Sequence, residues 1–517
     1  MNASMSSLHI CLLSLSLFII FVFLLKHKKN HASNTATHPA PPGPQRLPLI
    51  GNLHQLDLSS PHHRLRQLSQ LHGPLMSLKL GLTPALVISS AKTAREAIRA
   101  HDLEFSSRPS LAGQWKLSYG GLDMAFAPYG EHWRQIRRIC VTNLLNPKKV
   151  QSSRPICEDE VSKMVERISI SAAASPSQTV DLSETLLSLT ASIICRIAFG
   201  RNTSEPEPRA DVLRSLREAQ AVLGSFCFED YFGWVGSVVD KVTGFSSKLQ
   251  RVFVELDAFY EMMIQDHLDK KKEEDPEDFI DVLFRLSEDR SGSVHVSRDH
   301  IKAVLMVIFH VFRKDSYRTT DTNAATLVWA MTALKKNPGV MNKAQHEIRS
   351  VVGNKGFVDE DDLHSLPYLK AVVKETLRLY PPAPLLLARE TTQSCILSGY
   401  EIGPKALVYI NAWAIGRDSE CRESAEEFWP ERFLGRDVDL RGQSFELLPF
   451  GGGRRACPGV SFAAVTLELA LANLLYSFEW ELPEGMEEED VDTEAMPGLT
   501  MHKKIPLCPR AKIKNDA

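Results

Sequence analysis

Paired cysteine spacing is missing from this 517-residue chain. Its nine cysteines, from Cys11 to Cys508, are scattered, odd in number and contain no CxxC. That excludes a disulfide framework or a zinc ribbon and places the bulk of the chain in a reducing compartment. A charge excess is missing too, since 60 Lys and Arg face 63 Asp and Glu, a net charge of −3. Nucleic-acid-binding chains normally carry a basic surplus, so no nucleic-acid partner is expected. With 28 glycines and 29 prolines the chain is neither low-complexity nor collagen-like. The 44% hydrophobic and 24% charged shares are those of a globular protein. No internal repeat and no composition shift divides the chain beyond its first fifty residues. One large body, mostly α with small β-sheets (α+β), is predicted.

Among what is present, one apolar run stands out. Leu8–Leu25 (LHICLLSLSLFIIFVFLL) would make a helix of about 27 Å at about 1.5 Å per residue. That roughly matches the endoplasmic reticulum bilayer, about 27 Å. Lys26, His27, Lys28 and Lys29 follow, and no Lys or Arg precedes. The positive-inside rule therefore puts the C-terminal side in the cytosol. Basic charge after the apolar core argues against a cleaved signal peptide. Residues 1–25 read as a single-pass membrane anchor, and 26–52 as a basic, polar linker with a proline-rich hinge. Residues 53–517 form the body. The sequon at Asn202 would face the cytosol and stay unglycosylated.

Within the body, Leu75–Leu80 and Ala85–Ser89 flank a turn and predict a hairpin. Val161, Met164, Val165 and Ile168 share one helical face. Lys270–Asp278 (KKKEEDPED) reads as a solvated loop. Further strands are predicted near 395–410 and in the C-terminal tail.

The most informative stretch is Phe450–Gly459, FGGGRRACPG. Its glycines permit positive φ and close backbone approach to a flat ligand. Pro458 suits a first helical turn, and Val460–Leu475 is apolar enough for a buried helix. Cys457 would then sit at a helix N-terminus, which favours a thiolate suited to a soft metal. Other readings stand beside this one. A lone cysteine is often a small buried hydrophobe. Gly451-x-Gly453-x-x-Ala456 loosely matches a dinucleotide fingerprint, although Pro449 interrupts the segment before it. A nucleophilic cysteine would need a histidine partner that the sequence does not identify.

The wider pattern decides among them. Phe450-x-x-Gly453-x-Arg455-x-Cys457-x-Gly459 resembles the haem-binding loop of the cytochrome P-450 monooxygenases. Glu375-x-x-Arg378 resembles the family's E-x-x-R helix, where the spacing puts both side chains on one face. Pro430-Glu431-Arg432-Phe433 resembles its PERF segment, and Trp133-x-x-x-Arg137 its W-x-x-x-R. The order fits across nearly the whole chain. PPGPQRLPLIGN, FSSRP, YGEHWRQIRRIC and NAWAIGRD resemble the plant microsomal (A-type) members.

The resemblance implies the cytochrome P-450 fold and haem b, with Cys457 as the axial iron ligand. It implies propionate contacts from Trp133, Arg137, Arg389 and Arg455, and loop roles for Phe450, Gly453 and Gly459. Glu375, Arg378 and Arg432 become a structural charge cluster. Asp321 and Thr322 become the acid–alcohol pair of the oxygen-activating helix. Substrate contacts carry over to Ser118–Met124, Ala325–Thr326, Ala383–Leu387 (Leu386 included) and Leu499–Thr500. These are mostly small or apolar, so a modest hydrophobic metabolite is expected. Electrons would come from an NADPH-dependent reductase in the same membrane, with cytochrome b5 as a further donor. Arg134, Arg137, Arg138, Lys148 and Lys149 are candidates for the docking face.

One segment departs from the family. Ser297 reads as an N-cap, and Arg298–Lys336 as one long helix ending before Asn337-Pro338-Gly339. Arg318 and Thr319 stand where the family has two small residues. His310–Tyr317 fills the place of a single residue. The excess of about seven residues corresponds to about two helical turns. Retained non-coding sequence, a tolerated insertion, or altered isomerase- or dehydratase-type chemistry would each account for it. A catalytically impaired haem protein is the corresponding functional alternative.

Overall fold

The proline-rich segment at the start of the described chain is packed against a sheet edge. The computed structural model describes residues 38–175, 178–200, 218–219, 221–270, 277–288, 296–309 and 322–514. Ser77 donates its amide to Pro42 O (2.7 Å) and its hydroxyl to Pro41 O (2.8 Å). A Cβ at Gly43 would lie 2.0 Å from Ser77 O, so glycine is required for this approach. Asn52 is fully buried; its side chain accepts from Lys79 N and donates to Gln45 O. An edge strand is thereby covered rather than left open to pairing.

That strand, β1 (Leu75–Leu80), pairs antiparallel with β2 (Thr83–Ile88). The turn between them is Gly81-Leu82, with Gly81 at φ +60°. Thr83 and Pro84, expected in the turn, belong to β2. β3 (Arg389–Glu390) and β6 (Leu407–Ile410) complete the sheet in the order β1-β2-β6-β3, with β2 and β6 parallel. β4 (Cys395–Leu397) pairs with β5 (Tyr400–Ile402), and β7 (Phe478–Glu481) with the C-terminal β8 (Arg510–Ile513). The small-sheet expectation holds in all three regions.

Helices make up the larger part. Those that build the site are α1 (Glu131–Ile139), α2 (Arg154–Ala174), α3 (Leu182–Phe199), α4 (Arg298–Phe309), α5 (Thr322–Lys336), α6 (Pro338–Val352), α7 (Pro367–Leu379) and α8 (Val460–Ser477). On α2, Val161, Met164 and Ile168 are buried, while Val165 is half-buried. Helix α5 is apolar on all sides and buried nearly throughout, as its run Ala324–Leu334 requires. Trp329 stacks on Tyr380 at 4.6 Å and donates to Met501 O at 2.8 Å, tying α5 to the C-terminal region.

Ser297 Oγ accepts the His300 amide (3.4 Å), in line with its N-cap role. Whether α4 and α5 form one helix lies outside the described residues, as do His310–Asp321. The apolar run Leu8–Leu25 and Asn202 lie outside them too. Among the described residues one helix, α8, is long and apolar enough to cross a membrane. It is a core helix, with Leu469–Leu475 fully buried. The solvated-loop expectation fails at Asp278. That carboxylate is buried and accepts the Asp281 amide at the start of helix Phe279–Glu288 (3.1 Å).

Candidate active site

The loop before α8 is folded by its own backbone. Cys457 N donates to Phe450 O at 2.9 Å, with Gly451 and Gly453 at φ +68° and +64° between them. A Cβ on Gly453 would lie 2.4 Å from Asp102 Oδ1, so the position admits no side chain without displacement. Helix α8 starts at Val460 with Gly459 as N-cap. Pro458 therefore precedes the helix instead of occupying its first turn. The Cys457 sulfur is open to a cavity but enclosed by protein. Burial raises its pKa, while the Gly459 amide and Arg137 act in the opposite direction.

That cavity measures about 420 Å³. Cys457, Phe450 and Gly459 line it together with Ala383, Leu386, Leu499, Thr500 and Thr322. Arg137, Arg389 and Arg455 also reach its wall. Trp133 and Gly453 stand behind the wall, and Ala325 is buried in α5 without reaching it. Of Ser118–Met124, Met124 alone arrives there. Asp321 lies outside the described residues.

The cationic rim is built on backbone carbonyls. Arg455 donates to Ser106 O (2.6 Å) and Ala127 O (2.7 Å) and lies 4.1 Å over the Trp133 ring. Its third nitrogen, Nη1, is buried without a partner. Arg389 donates to Gly452 O (2.8 Å), and Arg137 to Ala456 O (2.7 Å). Arg137 therefore points inward and is withdrawn from the docking face proposed on sequence grounds. Burial, with neighbouring guanidiniums second, pushes Arg455 down to about 9. Burial takes Arg389 down to about 10 and also lowers Arg137.

Two residues without an assigned role support this rim, one from the cavity wall and one from behind it. Arg108 of the FSSRP segment lines the cavity and clasps Ala125 O, Leu387 O and Ala388 O. Asp123, fully buried, is the carboxylate that acts on both Arg108 and Arg455. A signal was present for Asp123 alone: a charged residue inside the short apolar stretch Leu122–Phe126 needs a partner once buried.

The charge cluster lies apart from the cavity. Arg378 grips Glu375 through two bonds of 2.7 Å, and Arg432 Nε adds a third at 3.1 Å. Remaining guanidinium donors reach Gly416 O, Ala425 O, Glu423 O and Ser424 O. Glu375 Oε1 also accepts the Trp429 amide. Every member is paired, which a buried charge triad requires.

A flat apolar body with two carboxylates and a soft metal centre fits this arrangement. The walls are mostly aliphatic, one enclosed sulfur faces inward, and the rim carries positive charge in excess with an unpaired donor. Those are the chemical needs of haem b.

Comparison with known proteins agrees. A family model described as "Cytochrome P450" matches residues 41–508. "Cytochrome P450 71B34" of Arabidopsis thaliana is 44% identical over 96% of this chain and 98% of its own. "Strychnine-11-hydroxylase" of Strychnos nux-vomica is 44% identical over 98% of each chain. "6,7,8-trihydroxycoumarin synthase" of Pastinaca sativa is 46% identical over 96% of this chain and 98% of its own. A zebra fish cytochrome P450 with progesterone superposes with a TM-score of 0.72 at 24% identity, covering 88% of this chain and 99% of that one. That likeness concerns the fold.

Proposed function

The chain belongs to the cytochrome P450 family, and from that premise we propose that it oxidises a small hydrophobic plant specialised metabolite at the Cys457 cavity. As a family member it is an oxidoreductase, a monooxygenase with haem b that draws electrons through a reductase. When bound, haem supplies activation of O2 and insertion of one oxygen atom into substrate. The observation that carries the site assignment is Cys457 facing an apolar cavity beneath a rim of buried arginines.

In this reading Cys457 is the iron ligand, and a thiolate there favours O–O cleavage. Arg137, Arg389 and Arg455 receive the propionates, with Trp133 supporting Arg455 from behind. Phe450, Gly453 and Gly459 shape the loop. Ala383, Leu386, Leu499 and Thr500 orient the substrate and exclude water. Thr322, which lines the cavity, would with Asp321 hold and move protons there once the cofactor is bound. The anchor holds the chain in the endoplasmic reticulum membrane with the body in the cytosol. NADPH–cytochrome P450 reductase is the electron donor, with cytochrome b5 as an accessory one. Names of relatives that hydroxylate strychnine or make a trihydroxycoumarin favour oxygen insertion over the isomerase or dehydratase alternative.

The test is expression with reductase, followed by a ferrous–CO difference spectrum and turnover of alkaloid and phenolic panels. A normal haem-thiolate CO spectrum in wild type, abolished by Cys457→Ser, is expected. An unchanged spectrum in that variant rules out the ligand assignment.

A further inference from the structure

The rim arginines must be held in place before an anion arrives, although like charges repel one another. Arg108, Arg137, Arg389 and Arg455 all line one cavity, so four guanidiniums converge there. The turn on which two of them, Arg108 and Arg455, rest is closed by a single carboxylate. Asp123 Oδ1 accepts the amides of Ala125 and Phe126, the latter at 2.6 Å. The next carbonyls along the chain then face outward to the cradle. Met124 O accepts Trp133 Nε1 at 3.1 Å, and Ala125 O accepts Arg108 Nε at 2.9 Å. Ala127 O accepts Arg455 Nη2 at 2.7 Å. Asp123 Oδ2 is buried and has no hydrogen-bond partner, and the side chain is fully shielded from solvent. A carboxylate buried with one free oxygen is expensive unless it serves its surroundings.

We propose that Asp123 is the positioning residue of the haem-propionate cradle. Its carboxylate closes the Met124–Ala127 turn, whose carbonyls hold Trp133, Arg108 and Arg455 toward the cofactor. Asp123 does not line the cavity, so it acts through those three side chains and touches neither cofactor nor substrate. Its negative charge also offsets part of the cationic field that the propionates complete. This inference rests on the cofactor assignment above.

Burial pushes Asp123 up to about 6, with the Phe126, Ala125 and Ala127 amides and Arg108 pulling it back. The groups facing it from other elements are Arg108, Arg455 and the Cys140 thiol. At neutral pH the ionised form, the better acceptor for the turn, predominates.

The experiment uses full-length holoprotein in three forms: wild type, Asp123→Asn and Asp123→Ala. Two quantities are read, the rate of haem transfer to apomyoglobin and the ferric/ferrous midpoint potential. Asn keeps an acceptor oxygen for the turn and removes the charge. It should lose haem at nearly the wild-type rate, with a more positive potential. Ala removes both and should lose haem about tenfold faster, the equivalent of losing one charge-assisted hydrogen bond. Haem loss from Ala at the wild-type rate, or from Asn as fast as from Ala, overturns the positioning role. Where Ala does not fold, Asn decides alone: a raised potential with haem retained supports the proposal, and an unmoved potential overturns it. Haem content of the wild type, measured alongside, reports on the cofactor assignment itself, so the two readings fail separately.

Discussion

Glu375 shows how far a single charge can be committed. It has no solvent exposure, and it accepts from Arg378, Arg432 and the Trp429 amide. Glu375→Ala would leave two buried guanidiniums without their counter-charge, at a cost of about 3–5 kcal/mol. We predict loss of haem incorporation in that variant, read as a missing ferrous–CO Soret band. A normal band would refute it. His62 offers a second test at this scale. It is 5% exposed, lies edge-on to Trp413 and has a buried Nε2 with no partner. Burial, then His63 and Arg417, lowers its pKa from 6.5 to about 3. A folded-state value below the unfolded one means stability present above about pH 6.5 and lost as pH falls toward the folded value. At pH 5 the loss is about 2 kcal/mol. His62→Phe should therefore narrow the gap in Tm between pH 7.5 and pH 5; an equal gap in both proteins would count against this.

At the scale of elements, α4 and α5 flank the segment that departs from the family. Met306, Val307 and Ile308 of α4 and Thr322 and Asn323 of α5 all face the cavity. The sequence joins these two cavity-lining stretches through His310–Asp321, which lie outside the described residues. By resemblance to the family, His310–Ser316 are additional, charged sequence, and Arg318 and Thr319 stand where two small residues are expected. Deleting His310–Ser316 together with Arg318→Ala and Thr319→Gly should raise turnover with reductase several-fold. Turnover unchanged from wild type would mean that the insertion is tolerated as it stands. The hairpin illustrates a different point about elements. β1 was legible to its ends because alternation and a glycine turn are local signals. Pro84 falls in the turn segment that the two alternating runs flank in the sequence. β2 nevertheless includes it, at the strand's first positions.

On the scale of the molecule, the N-terminal region carries an attachment to the body and, in the reading proposed above, one to the membrane. Residues 41–52 lie along β1, and Asn52 is locked to Lys79 on both backbone sides. Removal of residues 1–37 should leave Tm and the CO spectrum within error of the full chain while releasing the protein from the membrane pellet. Removal through residue 52 should lower Tm by several degrees, since an edge strand and buried amides become exposed. Equal Tm for both truncations would show that the proline segment contributes nothing to the fold.

Much of this protein was determined by local sequence. The glycine-rich Cys457 loop, the Glu375–Arg378 pairing and the apolar α8 each depend on short-range spacing, conformational freedom or periodicity, and these survive in one dimension, whereas the Arg432 contact to Glu375, 57 positions away, was expected only from the family resemblance. What only the tertiary structure decided involves groups distant in sequence. Arg137 shares its helix with the exposed Arg134, yet it turns inward to a carbonyl more than three hundred positions away. Arg108 and Asp123 carry no periodic signal, because their roles arise where a loop meets α1 and the segment before α8. Asp278 was misread for the same reason, since a charge run looks solvated until a neighbouring helix needs a cap. Desolvation is the common cause. It depends on what surrounds a group in space, and in this fold it is the leading cause of the shifts at His62 and Arg455, which spacing alone does not predict.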